Sequence, residues 1–299
     1  MAFGLKRKLP RQSPLAAPVT PSPDRHGIAI AAIVKDEVQD LEEWIVFHTL
    51  QGVRQIYIYD NGSTDGTQDL CQRLSEAWPV TLIPWVNFLE EPSPQRLAFM
   101  HALTNFGADY RWMMFNDPDE FVFPVKANTL LEALADLDHL PSISLPWHMF
   151  GTSGHNARPE GLLIENYTRR APMPPEPERH KLLSYKTIVD PAEVAAAGTH
   201  RFVLRQEGET MYNDRGEKIK WKDWRNPKYA SAECLQLNHY FTKSREDFEA
   251  KHRRGRVSQS GAVLPKTALA RMELIEQSTL EDKAIQRFSA AVKAAMKSA

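Results

Sequence analysis

From residue 27 the sequence reads Gly27-Ile28-Ala29-Ile30-Ala31-Ala32-Ile33-Val34, a nearly unbroken apolar run. Its length and β-branched content are typical of a buried strand in a parallel sheet. A helical pattern of apolar residues begins at Leu41 and stops at Gly52, and a second strand pattern covers Gln55–Tyr59. Together these segments predict a β-α-β unit.

The alternation of strand and helix continues toward the middle of the chain. A turn of small polar residues at 60–66 leads to a helix that ends at Leu74, a third strand covers 80–86, a helix covers 95–106 and a fourth strand covers 111–116. This order predicts an α/β fold with a mostly parallel sheet flanked by helices.

The fourth strand leads directly into an acidic turn, Asn116-Asp117-Pro118-Asp119-Glu120. Mg²⁺ and Mn²⁺ prefer oxygen ligands and keep positions open for substrate phosphates. Two carboxylates one residue apart at the end of a strand therefore predict a site for Mn²⁺ or Mg²⁺. An acidic surface turn is the simpler alternative.

Three polar segments follow predicted strands: Lys35–Glu37, Asp60–Asp65 and Asp117–Glu120. In an open parallel sheet, ligands bind beyond the carboxyl ends of the strands. We therefore expect these segments to share one edge of the sheet and to form the functional site there.

These residues resemble the opening of the family 2-like and family 92-like glycosyltransferases with the GT-A fold. The resemblance extends in order over residues 27–255 and departs from the family pattern at Asp36, where many relatives have Asn, and at Pro118. The matching positions are Val34–Glu37, Glu43, Trp44, His48, Gly52, Val53, Tyr57–Asp65, Asp117–Phe121, Trp147, Phe150–Gly154, His200, Asn238–Phe241, Lys243, Phe248, Lys251 and Gly255.

The resemblance implies a metal-dependent, inverting transfer of a hexose from a nucleotide-diphosphate sugar, first of all a UDP-sugar, to a hydroxyl of a carbohydrate or other acceptor, as in polysaccharide biosynthesis. It implies catalytic roles for Asp117, Asp119 and Glu120. The metal ligands would be Asp117, Asp119 and His239, with His200 as the alternative imidazole. The residues expected to bind the nucleotide-sugar are Lys35, Glu37, Asp60, Asn61, Ser63, Asp65, Arg96, Lys243 and Lys251.

Several roles stay open at this stage. Asp60 either reads the base or ribose, or closes its own turn through the amides of Gly62 or Ser63. Lys243, Lys251 and Arg254 either contact the diphosphate or are ordinary charges of a helix that Ser244 caps. The candidates for the base that deprotonates the acceptor are His148, His155, Glu160, Glu165 and Glu178.

Two other functions also fit part of the pattern. A phosphohydrolase of the haloacid dehalogenase type places Asp-x-Asp after an apolar strand and uses the first Asp as its nucleophile. That motif stands early in its chain, whereas here three strands precede it. A sugar-binding module without activity is the third reading, because a fold does not guarantee catalysis.

Composition narrows the class of protein. The chain has 299 residues, 42% of them hydrophobic, and a formal net charge of −1, which gives no overall attraction to nucleic acid. Cys71 and Cys234 argue against a disulfide framework and fit a reducing compartment. No segment approaches the roughly 18 apolar residues that span a bilayer. We expect a cytoplasmic protein, with peripheral contact to the inner face of a membrane left open.

Composition also predicts three parts of the chain. Residues 1–25 are basic and rich in proline, which indicates a disordered tail. Residues 26–242 would form the GT-A domain, and residues 243–299 a helical extension packed on it.

Overall fold

The computed structural model describes residues 16–86, 93–254, 266–277 and 279–298. In chain order its strands are β1 Ile28–Val34, β2 Val53–Asp60, β3 Val80–Pro84, β4 Trp112–Met114, β5 Glu120–Pro124, β6 Ser142–Met149, β7 Arg169–Arg170, β8 Tyr185–Val189, β9 Val194–Ala197, β10 Phe202–Leu204, β11 Thr210–Tyr212, β12 Lys218–Lys220, β13 Leu235–His239 and β14 Leu280–Glu281. Its α-helices are α1 Leu41–Leu50, α2 Thr67–Leu74, α3 Pro94–Phe106, α4 Leu130–Leu134, α5 Leu163–Asn166, α6 Arg245–Arg254, α7 Lys266–Glu276 and α8 Ser289–Met296.

The main sheet has eight strands within the described residues, in the order β3-β2-β1-β4-β8-β6-β13-β5. β1 pairs in parallel with β2 and β4, β2 with β3, and β6 with β13. β8 is antiparallel to both β4 and β6, and β5 is antiparallel to β13. Six strands therefore point in one direction, and the carboxyl ends of these six meet the first residues of β5 and β8 at the same edge.

The central strand β1 is buried along its whole length, as its apolar sequence predicts. Because side chains alternate across a strand, Ile28 and Ile30 join the core on one face of the sheet, with α1, and Ala29 and Ala31 join the core on the other face, with α3. Burial of each isoleucine contributes roughly 1.5–3 kcal/mol. Packing on both faces therefore fixes the edge at which the strands end.

Helix α1 holds the start of β5 in place through buried hydrogen bonds. Trp44 Nε1 donates to the carbonyl oxygen of Glu120 at 2.8 Å. His48 Nδ1 donates to the carbonyl of Trp44, and its Nε2 accepts from the amide of Val122 at 3.2 Å. Burial lowers the pKa of His48 to about 4, which keeps the ring neutral for this double role. These hydrogen bonds fix the position of the acidic turn at the start of β5.

Between β8 and β13 the chain leaves the main sheet and forms two small hairpins, β9 with β10 and β11 with β12. We call residues 190–234 the insertion. The carboxylate of Asp214 accepts from the amides of Cys234 at 2.8 Å and Leu235 at 3.2 Å, which fixes the point where the chain re-enters the sheet.

Both ends of the described chain pack on the domain. Residues 16–25 were expected to end a disordered tail, but they are held on the domain. The amide of Ala16 donates a hydrogen bond to the carbonyl of Ala195, and Arg25 forms an ion pair with Asp190 at 2.6 Å. Residues 1–15 lie outside the described residues. At the other end, Phe288 lies 5.8 Å, centroid to centroid, from Phe47 of α1.

The predicted fold class, an α/β chain with a mainly parallel sheet between helices, is confirmed. The strand ends differ in detail: β3 stops at Pro84 and β4 covers only Trp112–Met114. None of the helices in the described ranges has the length and apolar character that a membrane span requires.

Candidate active site

The acidic turn connects the carboxyl end of β4 to the start of β5. The other residues that face it come from the start of β8, which supplies Lys186, from the end of β13, which supplies His239, and from α6, which supplies Lys251. All of these lie at the sheet edge that parallel topology predicts for a ligand site. We call Asp117, Asp119, Glu120, Lys186, His239 and Lys251 the charged cluster.

Lys186 is buried and joins the two outer carboxylates of the turn. Its Nζ lies 3.0 Å from Asp117 Oδ2 and 3.1 Å from Glu120 Oε2. Gln95 Nε2 donates to the other oxygen of Asp117 at 3.1 Å. Burial by itself would lower the pKa of Lys186, but the two carboxylates outweigh it and raise that pKa. Lys186 therefore stays charged and orients Asp117.

Glu120 was predicted as a catalytic residue, yet its side chain is 0% exposed. Burial, opposed by Lys186, raises its pKa to about 8. Its Oε2 accepts from the amide of Asp117 at 3.0 Å, and its Oε1 has no hydrogen-bond partner among the described residues. Glu120 thus shapes the turn from inside, and its side chain does not reach the surface.

Asp119 is buried and ionised. Burial would raise its pKa, but Lys251 and His239 hold that pKa well below its usual value. One oxygen of Asp119 binds the Lys251 ammonium, and the other lies 3.6 Å from His239 Nε2. The Lys251 side chain remains 36% exposed, so this residue borders the open side of the cluster.

A wall of rings supports His239. The Trp147 ring lies 4.4 Å from the His239 ring and 5.1 Å from the His200 ring, centroid to centroid. Burial lowers the pKa of both histidines, that of His200 to about 3, so both are neutral. The Nδ1 atoms of both have no hydrogen-bond partner among the described residues.

Lys243, predicted to bind the donor, is held on the protein. Its Nζ pairs with Asp40, which also pairs with Arg158, and it lies 3.9 Å from Glu37 Oε2. Burial alone would lower the pKa of Lys243, whereas Asp40 and Glu37 raise it. Lys243 adopts a φ of 50° at the start of α6, an uncommon conformation for a residue with a side chain. It orients the helix that carries Lys251.

The polar segment that follows β1, Lys35–Glu37, is hydrogen-bonded to the one that follows β2, Asp60–Asp65. Asp60 accepts from the amides of Gly62 at 3.1 Å and Ser63 at 3.2 Å and from Gln68 Nε2 at 2.7 Å, so its carboxylate closes its own turn. The Ser63 hydroxyl accepts from the amide of Asp36 at 2.9 Å. Asp65 accepts from the amide of Val38 at 3.0 Å.

The remaining predicted donor residues border this edge. Lys35 is half-buried and makes no ion pair within the described ranges. The amide of Asn61 donates to the carbonyl of Val34 at 2.9 Å. Arg96 lies in the first turn of α3, next to Gln95, and its Nη1 is buried without a hydrogen-bond partner in the described part of the chain.

None of the five base candidates contacts the charged cluster. His148 is buried on the opposite face of β6 from Trp147, near Arg170 and Asp282, and burial lowers its pKa to about 3. The other four make local contacts or are exposed: His155 Nε2 bonds the carbonyl of Asn166, Glu165 pairs with Lys293, and Glu160 and Glu178 are exposed. Asp117, 34% exposed, is the accessible carboxylate of the cluster.

Among the described residues, no three His, Cys, Asp or Glu side chains converge as a complete metal site. Asp119 and neutral His239 nevertheless offer a carboxylate oxygen and an imidazole nitrogen to one point, and both are donor types that Mn²⁺ accepts. Substrate phosphates commonly complete such sites. Asp119 and His239 therefore fit a cation shared with a diphosphate, whereas Asp117 is engaged by Lys186 and Gln95.

Sequence reasoning missed Lys186 and Gln95. The signal for Lys186 was available, because it is a single charge inside the apolar strand Tyr185–Val189. Gln95 carried no signal, since it is an ordinary polar residue in the first turn of a helix.

Comparison with known sequences identifies a family. The sequence model of glycosyltransferase family 92 matches residues 26–258. A family 92 protein of Oryza sativa subsp. japonica is 28% identical over 187 residues, which is 60% of this chain and 30% of the relative. One of Arabidopsis thaliana is 30% identical over 199 residues, 61% of this chain and 32% of the relative. The chain thus spans about a third of the length of these relatives.

Similarity to solved structures is weaker. Residues 1–349 of S. aureus TarS align over 91% of this chain and 72% of that one, with 14% identity and a TM-score of 0.38. Glucosyl-3-phosphoglycerate synthase from Mycobacterium tuberculosis, solved with Mn²⁺, UDP and glucosyl-3-phosphoglycerate, aligns over 41% of this chain and 44% of that one, with 17% identity and a TM-score of 0.27.

Proposed function

The chain belongs to glycosyltransferase family 92, and from this we propose that it transfers a hexose from a nucleotide-diphosphate sugar, first of all a UDP-sugar, to a hydroxyl of a carbohydrate acceptor. The observation that carries the proposal is the ionised, buried Asp119 between Lys251 and His239 at the carboxyl edge of the sheet. An ionised carboxylate at this position can bind the cations that neutralise a diphosphate.

Departure of the diphosphate needs positive charge near its oxygens. Lys251 supplies one such charge from this chain, since its ammonium is held by Asp119 and its side chain is partly exposed. Asp119 and His239 would hold a divalent cation, which would supply Lewis-acid stabilisation of the leaving group when bound. Neutral His239 suits this role, because a protonated imidazole has no free lone pair for a metal.

Transfer with inversion needs one base for the acceptor hydroxyl. Asp117 is the carboxylate of the charged cluster that reaches the surface, and Lys186 and Gln95 fix both of its oxygens. We assign Asp117 as the base that accepts the proton of the acceptor hydroxyl. The buried Glu120 and Lys186 then act by orienting it.

The test is release of UDP from a set of UDP-sugars, with and without Mn²⁺ and with and without saccharide acceptors. We expect turnover with at least one UDP-sugar, and faster turnover with Mn²⁺. Para-nitrophenyl phosphate distinguishes the alternatives, because a phosphohydrolase would cleave this simple ester. Thermal stabilisation by UDP without any turnover would instead support a binding module, and no response to any nucleotide would contradict the proposal.

A further inference from the structure

A group of aromatic side chains lies at the base of the insertion. It consists of Tyr185 at the start of β8 and Trp221, Trp224 and Tyr229 in the insertion, with Arg201 stacked on the two tryptophans; we call these five residues the aromatic platform. The Tyr185 ring lies 6.3 Å from Trp224 and 5.8 Å from Tyr229 between centroids. The Arg201 guanidinium lies 4.5 Å above Trp221 and 5.5 Å from Trp224.

The guanidinium of Arg201 is stacked on two rings, and Glu209 lies near enough to attract it without pairing. No ion pair or hydrogen bond of its side chain occurs within the described residues. A stacked guanidinium keeps its N–H donors in the plane of the group, where they remain available to oxygen acceptors of a ligand. Stacking therefore presents Arg201 as a rigid, unoccupied hydrogen-bond donor.

Three further polar atoms of the platform have no partner. Tyr185 Oη, Tyr229 Oη and Trp221 Nε1 are buried, and none of them has a hydrogen-bond partner in the described part of the chain. Buried polar atoms are normally paired, so the unpaired hydroxyls and the unpaired indole N–H beside the stacked guanidinium leave hydrogen-bonding capacity that the platform itself does not satisfy. Aromatic walls with a few convergent polar groups are characteristic of small-molecule sites.

The platform adjoins the charged cluster through two pairs of neighbouring residues. Tyr185 precedes Lys186, which holds Asp117. Arg201 follows His200, whose ring packs on Trp147 beside His239. The Thr187 hydroxyl donates to the carbonyl of His200 at 3.0 Å and so ties the two segments together. The platform is therefore linked through the backbone to the residue that holds Asp117 and to the ring that packs beside His239.

We propose that the aromatic platform is the acceptor subsite, where Trp221 and Trp224 bind the face of a saccharide ring and Arg201 binds its oxygen atoms. The inference rests on the proposed function, because it gives the proposed carbohydrate acceptor a place on the protein. A saccharide suits this surface, since each ring presents both apolar C–H faces and hydroxyl groups, which match aromatic faces and a fixed fork of donors.

The experiment compares the wild-type chain with Trp224→Ala, Trp224→Phe, Arg201→Lys and the control Trp78→Ala. Trp78 is also a half-buried tryptophan, but it lies just before β3, at the opposite edge of the sheet. The probes are tetrasaccharides of glucose, mannose, galactose, xylose and galacturonic acid. Each protein is titrated with each probe by calorimetry, and UDP release is measured with and without the probe that binds best.

We expect Trp224→Ala and Arg201→Lys to weaken binding of that tetrasaccharide by about tenfold or more, as loss of a stacking face or of a bidentate donor does. Trp224→Phe should retain most of the affinity because it keeps an aromatic face. Trp78→Ala should bind like wild type.

Equal affinity in wild type and both weakened variants, or binding of none of the tetrasaccharides, would overturn the subsite. This outcome is separate from failure of the proposed function, which would appear as absence of UDP release by the wild type. Saccharide binding that depends on Trp224 would support the platform even in that case.

Discussion

At the scale of single residues, the charged cluster balances each carboxylate with a cation. Lys186 pairs with Asp117 and Glu120, and Lys251 pairs with Asp119. Removing one partner of a buried pair leaves the other uncompensated, which is costlier than the pair is favourable. The effect of a substitution here therefore depends on which partner is removed.

Asp119→Asn removes the charge that holds Lys251 and faces His239. We expect turnover of the UDP-sugar to fall by about a hundredfold or more, similar to the loss of a group that stabilises a leaving oxygen. The fold should stay intact because Asn has nearly the same volume, while the melting temperature should fall because Lys251 loses its buried partner. Steady-state UDP release measures the first quantity and differential scanning fluorimetry the second; unchanged turnover would remove Asp119 from the site.

Glu120→Gln should change how stability depends on pH. Because burial raises the pKa of Glu120 to about 8, the folded protein binds this proton more tightly than the unfolded chain does. The contribution of protonated Glu120 to the free energy of unfolding is complete below about pH 4 and is lost as the pH rises through about 8. We expect the melting temperature of the variant to fall less than that of wild type between about pH 5.5 and 8.5. An equal change of melting temperature with pH in both proteins would contradict the raised pKa of Glu120.

Asp60→Ala should lower stability, because the carboxylate satisfies two amides and the Gln68 side chain. We expect a loss of about 1–3 kcal/mol in the free energy of unfolding, measured with urea. Exposed Asp69→Ala is the control and should be near neutral. Calorimetric titration with UDP tests the other role: a large loss of affinity without loss of stability would show that Asp60 reads the nucleotide.

Sequence pattern predicted which charges are placed at the sheet edge, but it could not predict their partners. Asp119 and His239 follow strand patterns, so their position at one edge was predictable. Lys186 pairs with Asp117 only because β8 enters the sheet beside β4 in the reverse direction, and this depends on tertiary pairing. Asp60 was open between two roles because turn closure and ligand binding use the same residue type.

At the scale of elements, α6 determines where Lys251 lies. Ser244 caps this helix as the sequence predicted: its hydroxyl accepts from the amide of Asp247 at 3.0 Å and donates to the Asp247 carboxylate at 2.7 Å. Asp247 also pairs with Arg158, which holds Asp40 and through it Lys243. The helix start is therefore joined to the loop that follows β1.

Ser244→Ala should cost about 1 kcal/mol, as loss of a helix N-cap usually does. We expect faster amide hydrogen exchange in the first turn of α6 and weaker binding of a UDP-sugar, because Lys251 loses its fixed position. Ser75→Ala, which removes a local hydrogen bond to Gln72 beyond the end of α2, is the control. Exchange in α6 equal to wild type would contradict the capping role.

The element order was predictable through the fourth strand, where strand and helix alternate. Prediction became weaker after Glu120, since β5 and β8 run against the other strands and the insertion has short hairpins with little periodicity. Short strands of three residues carry too few side chains to establish a pattern of alternation.

At the scale of the whole molecule, the C-terminal residues contribute to the main core. Ile285 and Val292 are buried in the same hydrophobic cluster as Trp44 of α1. The Thr152 amide donates to the carboxylate of Glu276 at 2.6 Å, which joins the end of α7 to the loop after β6. These contacts favour one cooperative unit over a domain with a separate extension.

Ile285→Ala should therefore destabilise the whole domain by about 2–4 kcal/mol, as truncation of a buried isoleucine does. We expect one thermal transition, shifted to lower temperature, in both calorimetry and circular dichroism. Leu280→Ala, at a side chain that is 49% exposed, should remain near wild type. A separate early transition confined to helical signal would indicate that the extension unfolds alone.

The insertion leaves the sheet after β8 and returns to it at β13, with Asp214 fastening the return. Four of the five platform residues lie within it, while the acidic turn lies outside. Mutations that remodel the insertion can thus alter acceptor choice while the chemistry of donor cleavage is preserved. Among members of the family, we expect this segment to diverge in length and sequence faster than the strands on either side, and to be the natural segment to exchange when a new acceptor preference is engineered.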